Sequence, residues 1–410
     1  MNDARQNAKW FNIGILSTAS LLAMSLWFSA SAVVPQLTDE WNLTNGEKAW
    51  LTMSVQIGFV VGALFSALLN LADRIPARLL FAISAFVGGM ANAAIALSVT
   101  SIGPALALRF VTGAALAGVY PPAMKLIASW TTRDRGLGIG LLVGAITVGS
   151  ALPYLLTFLS FVGSTHAMPP WPMSLMLASA SAVIAGGIAL LFVTEGPNTV
   201  PAASFSWRNA TRTFTHPPLR LANFGYLGHM WELYAMWAWV PIFLIASYTE
   251  HGLGENAARL AGFLVIAVGG VGSVLAGKYA DEVGRTLTAI LSLIVSGTCA
   301  LIAGFFFWSP LLLTVICLVW GFAVVADSAQ FSAAISEVSE PEYIGTALTV
   351  QTCLGFLLTM VSIRIIPPAV DLVGWQWAFW LLIPGPVFGI VSMLDLRRLP
   401  EAIKMASGKR

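Results

Sequence analysis

His229 and Glu232 lie three residues apart in the stretch GHMWELYAMWAW, well inside a long apolar segment. An i, i+3 spacing puts two side chains on one face of a helix, here continued by Met236, with Trp231, Tyr234 and Ala238 on the adjacent face. A charged group at the centre of a bilayer costs at least about 2.5–3.5 kcal/mol on insertion scales, so each such residue needs a reason to be there. Two readings are open for this pair. It is a self-satisfied structural contact, or it is a proton site whose charge state depends on whether the surrounding cavity is wet or closed.

The other acid well inside an apolar segment is Asp327, with Gln330 one turn on and sharing its face. Depth separates the candidates. Glu232 is about thirteen residues, roughly 20 Å, into its span, too deep for a short side chain to reach water. Asp327 is roughly 26 Å from the outer end of its span, in the inner third, where interfacial water is the competing explanation. Arg109 is only about 9 Å below an outer end, so snorkelling competes with a role in a solute path. Lys125 and Arg364 sit nearer span ends still and are read as snorkelling, although Arg364, like Arg109, could attract an organic anion. Gln56 and Tyr154 are further polar groups that could line a cavity.

Twelve spans must position these residues. Of 410 residues, 57% are hydrophobic and 10% charged, against about 25% charged in a soluble domain. Apolar runs of about twenty residues, the length that crosses a hydrocarbon core, are predicted over roughly 12–35, 50–70, 79–99, 103–129, 136–161 and 172–193, then 219–247, 258–279, 286–307, 309–336, 344–366 and 375–396. One long polar loop, TEGPNTVPAASFSWRNATRTFTHPP, divides the chain into an N-terminal bundle (1–193), a linker (194–218) and a C-terminal bundle with a short tail (219–410). With the N-terminus inside, the inner loops and tails hold sixteen Lys and Arg and the outer loops two, Lys48 and Arg259. That bias predicts both termini on the cytoplasmic side of an inner membrane.

A net charge of +2 gives no footprint for nucleic acid. Cys299, Cys317 and Cys353 are dispersed in apolar segments and have neither disulfide nor metal spacing. No GxxxxGK[ST] loop supports ATP drive, and no nucleophile or metal constellation supports an intramembrane enzyme. No cofactor is expected. The expected partners are a small-molecule substrate, protons and the lipid bilayer, around a monomer.

The two halves are diverged repeats. The loop after span two reads LNLADRIPAR (69–78) and the loop after span eight reads GKYADEVGRT (277–286). This pattern resembles the cytoplasmic loop of the major facilitator superfamily, G-x3-D-[RK]-x-G-[RK]-[RK], and the resemblance extends over essentially the whole chain. The second copy keeps Gly277, Asp281, Gly284 and Arg285. The first keeps Asp73, Arg74 and Arg78, with Leu69 and Pro76 at the glycine positions. The resemblance implies two six-helix bundles around a central cavity lined by helices one, four, seven and ten, and an inward gate locked by these loops. Gate partners would be Arg133 and Arg135 in the first half, Glu340 and Glu342 in the second. Helix four starts RFVTG, similar to the family's R-x3-G element, which carries over Arg109 and Gly113. Helix five has Ala145 and Val148 where proton-coupled exporters of the family have proline and glycine.

The expectation is a secondary active transporter of a small organic solute, proton-coupled, with uptake of an organic anion or metabolite preferred. A drug or metabolite exporter is the alternative within the class, and a transport-dead sensor the alternative outside it.

Overall fold

The computed structural model describes residues 3–131, 135–198, except 163–169, and 206–340 and 344–410. Among the described residues every regular element is a helix. The chain divides into two compact units, Met1–Ala202 and Ala203–Arg410.

In the first unit the helices are α1 (Asp3–Met24), α2 (Val34–Trp41), α3 (Asn45–Leu68), α4 (Leu71–Arg74), α5 (Ala77–Ser98), α6 (Ile102–Leu116), α7 (Tyr120–Trp130), α8 (Arg135–Val162) and α9 (Trp171–Phe192). The second unit contains α10 (Trp207–Thr215), α11 (Pro217–Glu250), α12 (Glu255–Val283), α13 (Arg285–Ile302), α14 (Pro310–Ala326), α15 (Ser328–Val338), α16 (Ile344–Val373), α17 (Trp375–Ala378) and α18 (Pro384–Arg398). Eleven described segments are long and apolar enough to cross a membrane. The pairs α6–α7, α14–α15 and α17–α18 are each one interrupted span; six of the eleven segments lie in the second unit and five in the first, which α1 brings to six.

The first predicted span, 12–35, is where the structure departs most from the periodicity. Helix α1 stops at Met24, and the chain continues through tight i→i+3 turns to a 3-10 turn at Ser31–Val33. Ser25 and Ser29 hydroxyls donate to the carbonyls of Leu22 and Leu26, three residues back. Such local bonds compete with the regular helix. Beyond the break, α2 buries Val34 and Leu37 with Ile95, Val99, Trp171 and Leu175. Helix α6 ends for a different reason. Tyr120 is followed by Pro121 and Pro122, which supply no N–H, so the span resumes as α7 after a turn at 117–119.

The polar linker also differs from its expectation as a loop. Part of it, Trp207–Thr215, forms α10, which buries Thr213, and just before it the Ser206 N–H donates to Thr346 Oγ1 at 3.3 Å.

The sequence repeat reappears as packing. A Cβ on Gly113 of α6 would overlap the Val55 carbonyl of α3, and a Cβ on Gly321 of α14 would overlap the Val265 carbonyl of α12. Each unit thus has its second and fourth spans in backbone contact, which only small residues permit.

Candidate functional site

The second unit gathers the ionisable residues. Helix α11 carries His229 and Glu232, both buried, and surrounds them with aromatic and small residues that pack against α16 and α18. The two do not pair with each other. His229 Nδ1 stands 2.8 Å from Oδ1 of Asp327, the residue at the break between α14 and α15. The contact joins an imidazole to a carboxylate and is an ion pair when the ring is protonated. On the other edge of the ring, Nε2 is 3.1 Å from the Ser328 hydroxyl. The imidazole packs against Tyr226 and Phe331, at ring distances of 6.0 and 5.4 Å, and those two rings also touch each other at 6.1 Å.

Glu232 faces two other helices. Trp320 Nε1 of α14 donates to its Oε1 at 2.7 Å, and the Ser296 hydroxyl of α13 donates to its Oε2 at 2.8 Å. Both donors are neutral. Among the described residues no cation pairs with this carboxylate, whose residue is 0% exposed. Of the two readings open for His229 and Glu232, the self-satisfied contact between them is not the one the structure has. Helix geometry lets the two share a face, but α13, α14 and the break at Asp327 supply the partners. Interfacial water does not explain Asp327 either, because it is 1% exposed.

Gln330 is fully buried and its Oε1 accepts from Arg285 at 3.4 Å, while its Nε2 has no partner. Trp231 donates from Nε1 to the Leu381 carbonyl at 2.8 Å. Tyr234 packs on Trp237 and Phe356 at 5.4 and 5.0 Å. Arg364 is exposed on α16.

In the first unit, snorkelling of Arg109 is overturned: the residue is 0% exposed. Its guanidinium donates to the carbonyls of Leu26 (2.8 Å), Trp27 and Leu51 (3.3 Å), to the Ser29 hydroxyl (3.1 Å) and to Asn92 Oδ1 (3.4 Å). Arg109 thus clamps the tightened end of α1. The first two of those carbonyls lie in the interruption itself, where the regular helix no longer uses them, which is why a cation fits there. Asn92, which also donates to the Leu175 carbonyl and Ser179 at 3.0 Å, was not among the expected residues. A lone amide inside span three was the available signal. Gln56 is fully buried with neither amide atom partnered, and Tyr154 is buried in α8.

The residues around the turn between α12 and α13 carry the ion pairs at this end of the second unit. Arg285 reaches Asp281 Oδ1 at 2.9 Å and Glu337 Oε1 at 3.0 Å. Glu337, not Glu340, is its partner, because Glu337 is on the face of α15 turned to the start of α13. Glu340 lies past the end of α15 and meets Arg212 at 3.9 Å, both half-exposed or more. Gly277 is buried in α12, and Gly284 turns the chain at φ +109°, a conformation that favours glycine. In the first unit Arg74 and Arg78 are exposed. Arg133 and Glu342, and the side chains of Asp73 and Arg135, lie outside the described residues.

The family model described as Major Facilitator Superfamily matches residues 16–363. The chain belongs to this superfamily. Among curated relatives, the niacin transporter NiaP of Acinetobacter baylyi is 29% identical over 140 residues, 32% of this chain and 31% of the relative. The 4-hydroxybenzoate transporter PcaK of Pseudomonas aeruginosa is 34% identical over 131 residues, 30% of this chain and 29% of the relative. The chain thus matches less than a third of the length of either relative. Among solved structures, the proton:xylose symporter XylE bound to 6-bromo-6-deoxy-D-glucose superposes with a TM-score of 0.71 at 16% identity, covering 96% of both chains. That likeness is one of fold, and it makes this superfamily member an all-α polytopic membrane protein of twelve helices.

Proposed function

We propose that this superfamily member carries a small aromatic carboxylate into the cell by alternating access of its two bundles, driven by protons. The observation that carries the reading is Glu232, a carboxylate buried inside a span with two neutral donors and no cation. A structural ion pair accounts for His229 and Asp327 but leaves Glu232 unexplained. A group that takes up a proton in one state and releases it in another accounts for all three, since hydration of the surroundings decides the charge of each. In this reading Gln330, Gln56 and Tyr154 line the path, and Arg364 attracts the anion from the outer side.

The substrate class is supported by the relatives' names. Niacin and 4-hydroxybenzoate are both single-ring carboxylic acids, and the aromatic groups Trp231, Tyr234 and Phe356 suit a flat ring. The protein works as a monomer in the inner membrane, with both termini cytoplasmic and the loops carrying Asp73 and Asp281 at the cytoplasmic gate.

The test is uptake of labelled niacin and 4-hydroxybenzoate into proteoliposomes with an acidic exterior. Accumulation above the equilibrium level is expected for the wild type. In Glu232→Gln the gradient-driven rate falls by about a hundredfold, the scale of removing a proton-transfer group, while exchange of labelled for unlabelled solute persists. Accumulation that ignores the gradient, or that is unchanged in Glu232→Gln, rejects the coupling.

A further inference from the structure

Beyond α18 the chain does not run off into solvent. It turns at Leu399 and folds back onto its own unit as Pro400–Gly408, a 3-10 stretch broken by a kink at Met405–Ser407. Ala402 and Met405 are fully buried and Ala406 is 6% exposed, whereas Ile403 between them is 60% exposed. One face of the segment is therefore seated and the other is not. Ala406 and Ser407 adopt left-handed backbone angles (φ 46° and 54°), which non-glycine residues avoid unless they are anchored.

The anchors all belong to the gate loop and to α15. The Ala406 N–H donates to Glu337 Oε2 at 2.9 Å, on the same carboxylate that Arg285 holds. Lys409 Nζ donates to the Asp281 carbonyl at 3.0 Å. The Arg410 carbonyl accepts from the N–H of Thr286 at 3.4 Å and from its hydroxyl at 3.1 Å, and Arg397 donates to that same hydroxyl at 3.0 Å. Gly284 makes the fit sterically: a Cβ there would overlap the Arg410 carbonyl and crowd that of Lys409. The first loop has Pro76 at the corresponding position, and Leu69 where the second has Gly277.

Helix α15 is thereby held at both ends. Asp327, immediately before it, pairs with His229, and Glu337 in its last turn is shared by Arg285 and the returning segment. Between them Gln330 also takes a bond from Arg285.

We infer that residues 400–410 form an intramolecular latch that locks α15 onto the 281–286 loop, and that α15 shifts only when the latch lets go. The latch stands on these contacts alone. Its consequence for transport, that turnover requires release, rests on the function proposed above.

Hydrogen–deuterium exchange of the full-length protein in lipid nanodiscs tests the latch without any substrate. Gly284→Ala, which ejects the segment, and Thr286→Val, which removes one anchor and leaves the backbone free of strain, are compared with wild type and with Ile403→Ser on the exposed face. Both loop variants are expected to exchange several-fold faster over 281–290 and 328–338. Peptides of 229–250 and of the first unit stay at wild-type rates, as does all of Ile403→Ser. Unchanged exchange over 328–338 in Thr286→Val, or a rise spread evenly over the second unit, overturns the latch and leaves the segment as ordinary packing. Since the readout needs no transport, a failed latch and a failed transport reading give different results.

Discussion

Arg109 is a buried charge with no carboxylate beside it among the described residues, yet it is well satisfied. The carbonyls of Leu26, Trp27 and Leu51 turn their negative ends on it, and Ser29 and Asn92 complete the shell. A guanidinium suits this because its donors diverge in a plane and reach three carbonyls on two backbone segments at once, a spread that a compact ammonium does not match. Arg109→Lys is therefore not a conservative change. It should lose at least two of these bonds and lower the unfolding free energy by about 3 kcal/mol, the scale of hydrogen bonds to a charged group. Thermal unfolding of the purified variant reads this, and a melting point equal to wild type would show that the clamp is dispensable. Glu232 is the contrasting case. Its partners Trp320 and Ser296 are neutral, so they orient the carboxylate without compensating its charge.

Interrupted helices and close helix pairs define the element scale. The break after Met24 and the turn at 117–119 occur where serine hydroxyls or prolines replace regular backbone bonds, whereas Asp327, at the third break, makes no side-chain cap bond. Where two helices cross closely, glycine sets the approach. Gly113 against Val55 and Gly321 against Val265 are the same contact made once in each unit. Gly113→Val and Gly321→Val should each force their helix pair apart at a cost of about 1–3 kcal/mol or somewhat more. Gly103→Ala and Gly187→Ala, whose added Cβ meets nothing within 4 Å, should stay within about 0.5 kcal/mol of wild type. Melting temperatures of the four variants separate these outcomes. Equal losses in all four would mean that the interhelix contact does not decide, since helix propensity alone favours each replacement over glycine.

At the scale of the whole molecule, the bias of Lys and Arg predicts which way the chain faces. The three native cysteines are buried, so a thiol placed on the surface reports alone. Lys48→Cys should react with an impermeant maleimide on intact cells, and Lys404→Cys only in inverted vesicles. The reverse pattern would invert the protein and move the latch to the outer face. The spacing of apolar runs is enough to read the membrane class and the spans. The first span was read too long, because periodicity registers apolar character and does not register hydroxyl groups or a distant arginine competing for carbonyls.

The ionisable residues show where sequence reading ends. Helical periodicity alone determined that His229 and Glu232 share a face, that Glu232 is too deep to reach water, and that Asp281 and Arg285 stand one turn apart at a span end. It could not determine partners, since those depend on which helices pack together and where each is interrupted. Tertiary structure gave His229 to Asp327 across the break before α15, and Glu232 to Trp320 and Ser296. It chose Glu337 over Glu340 for Arg285 and buried Arg109 against a helix end. It also brought residues 400–410 back onto the loop at 281–286, more than a hundred positions away. The physical reason is common to all of these. A short-range repeat specifies a surface along one helix, and only the meeting of several such surfaces decides which polar group each buried charge finds.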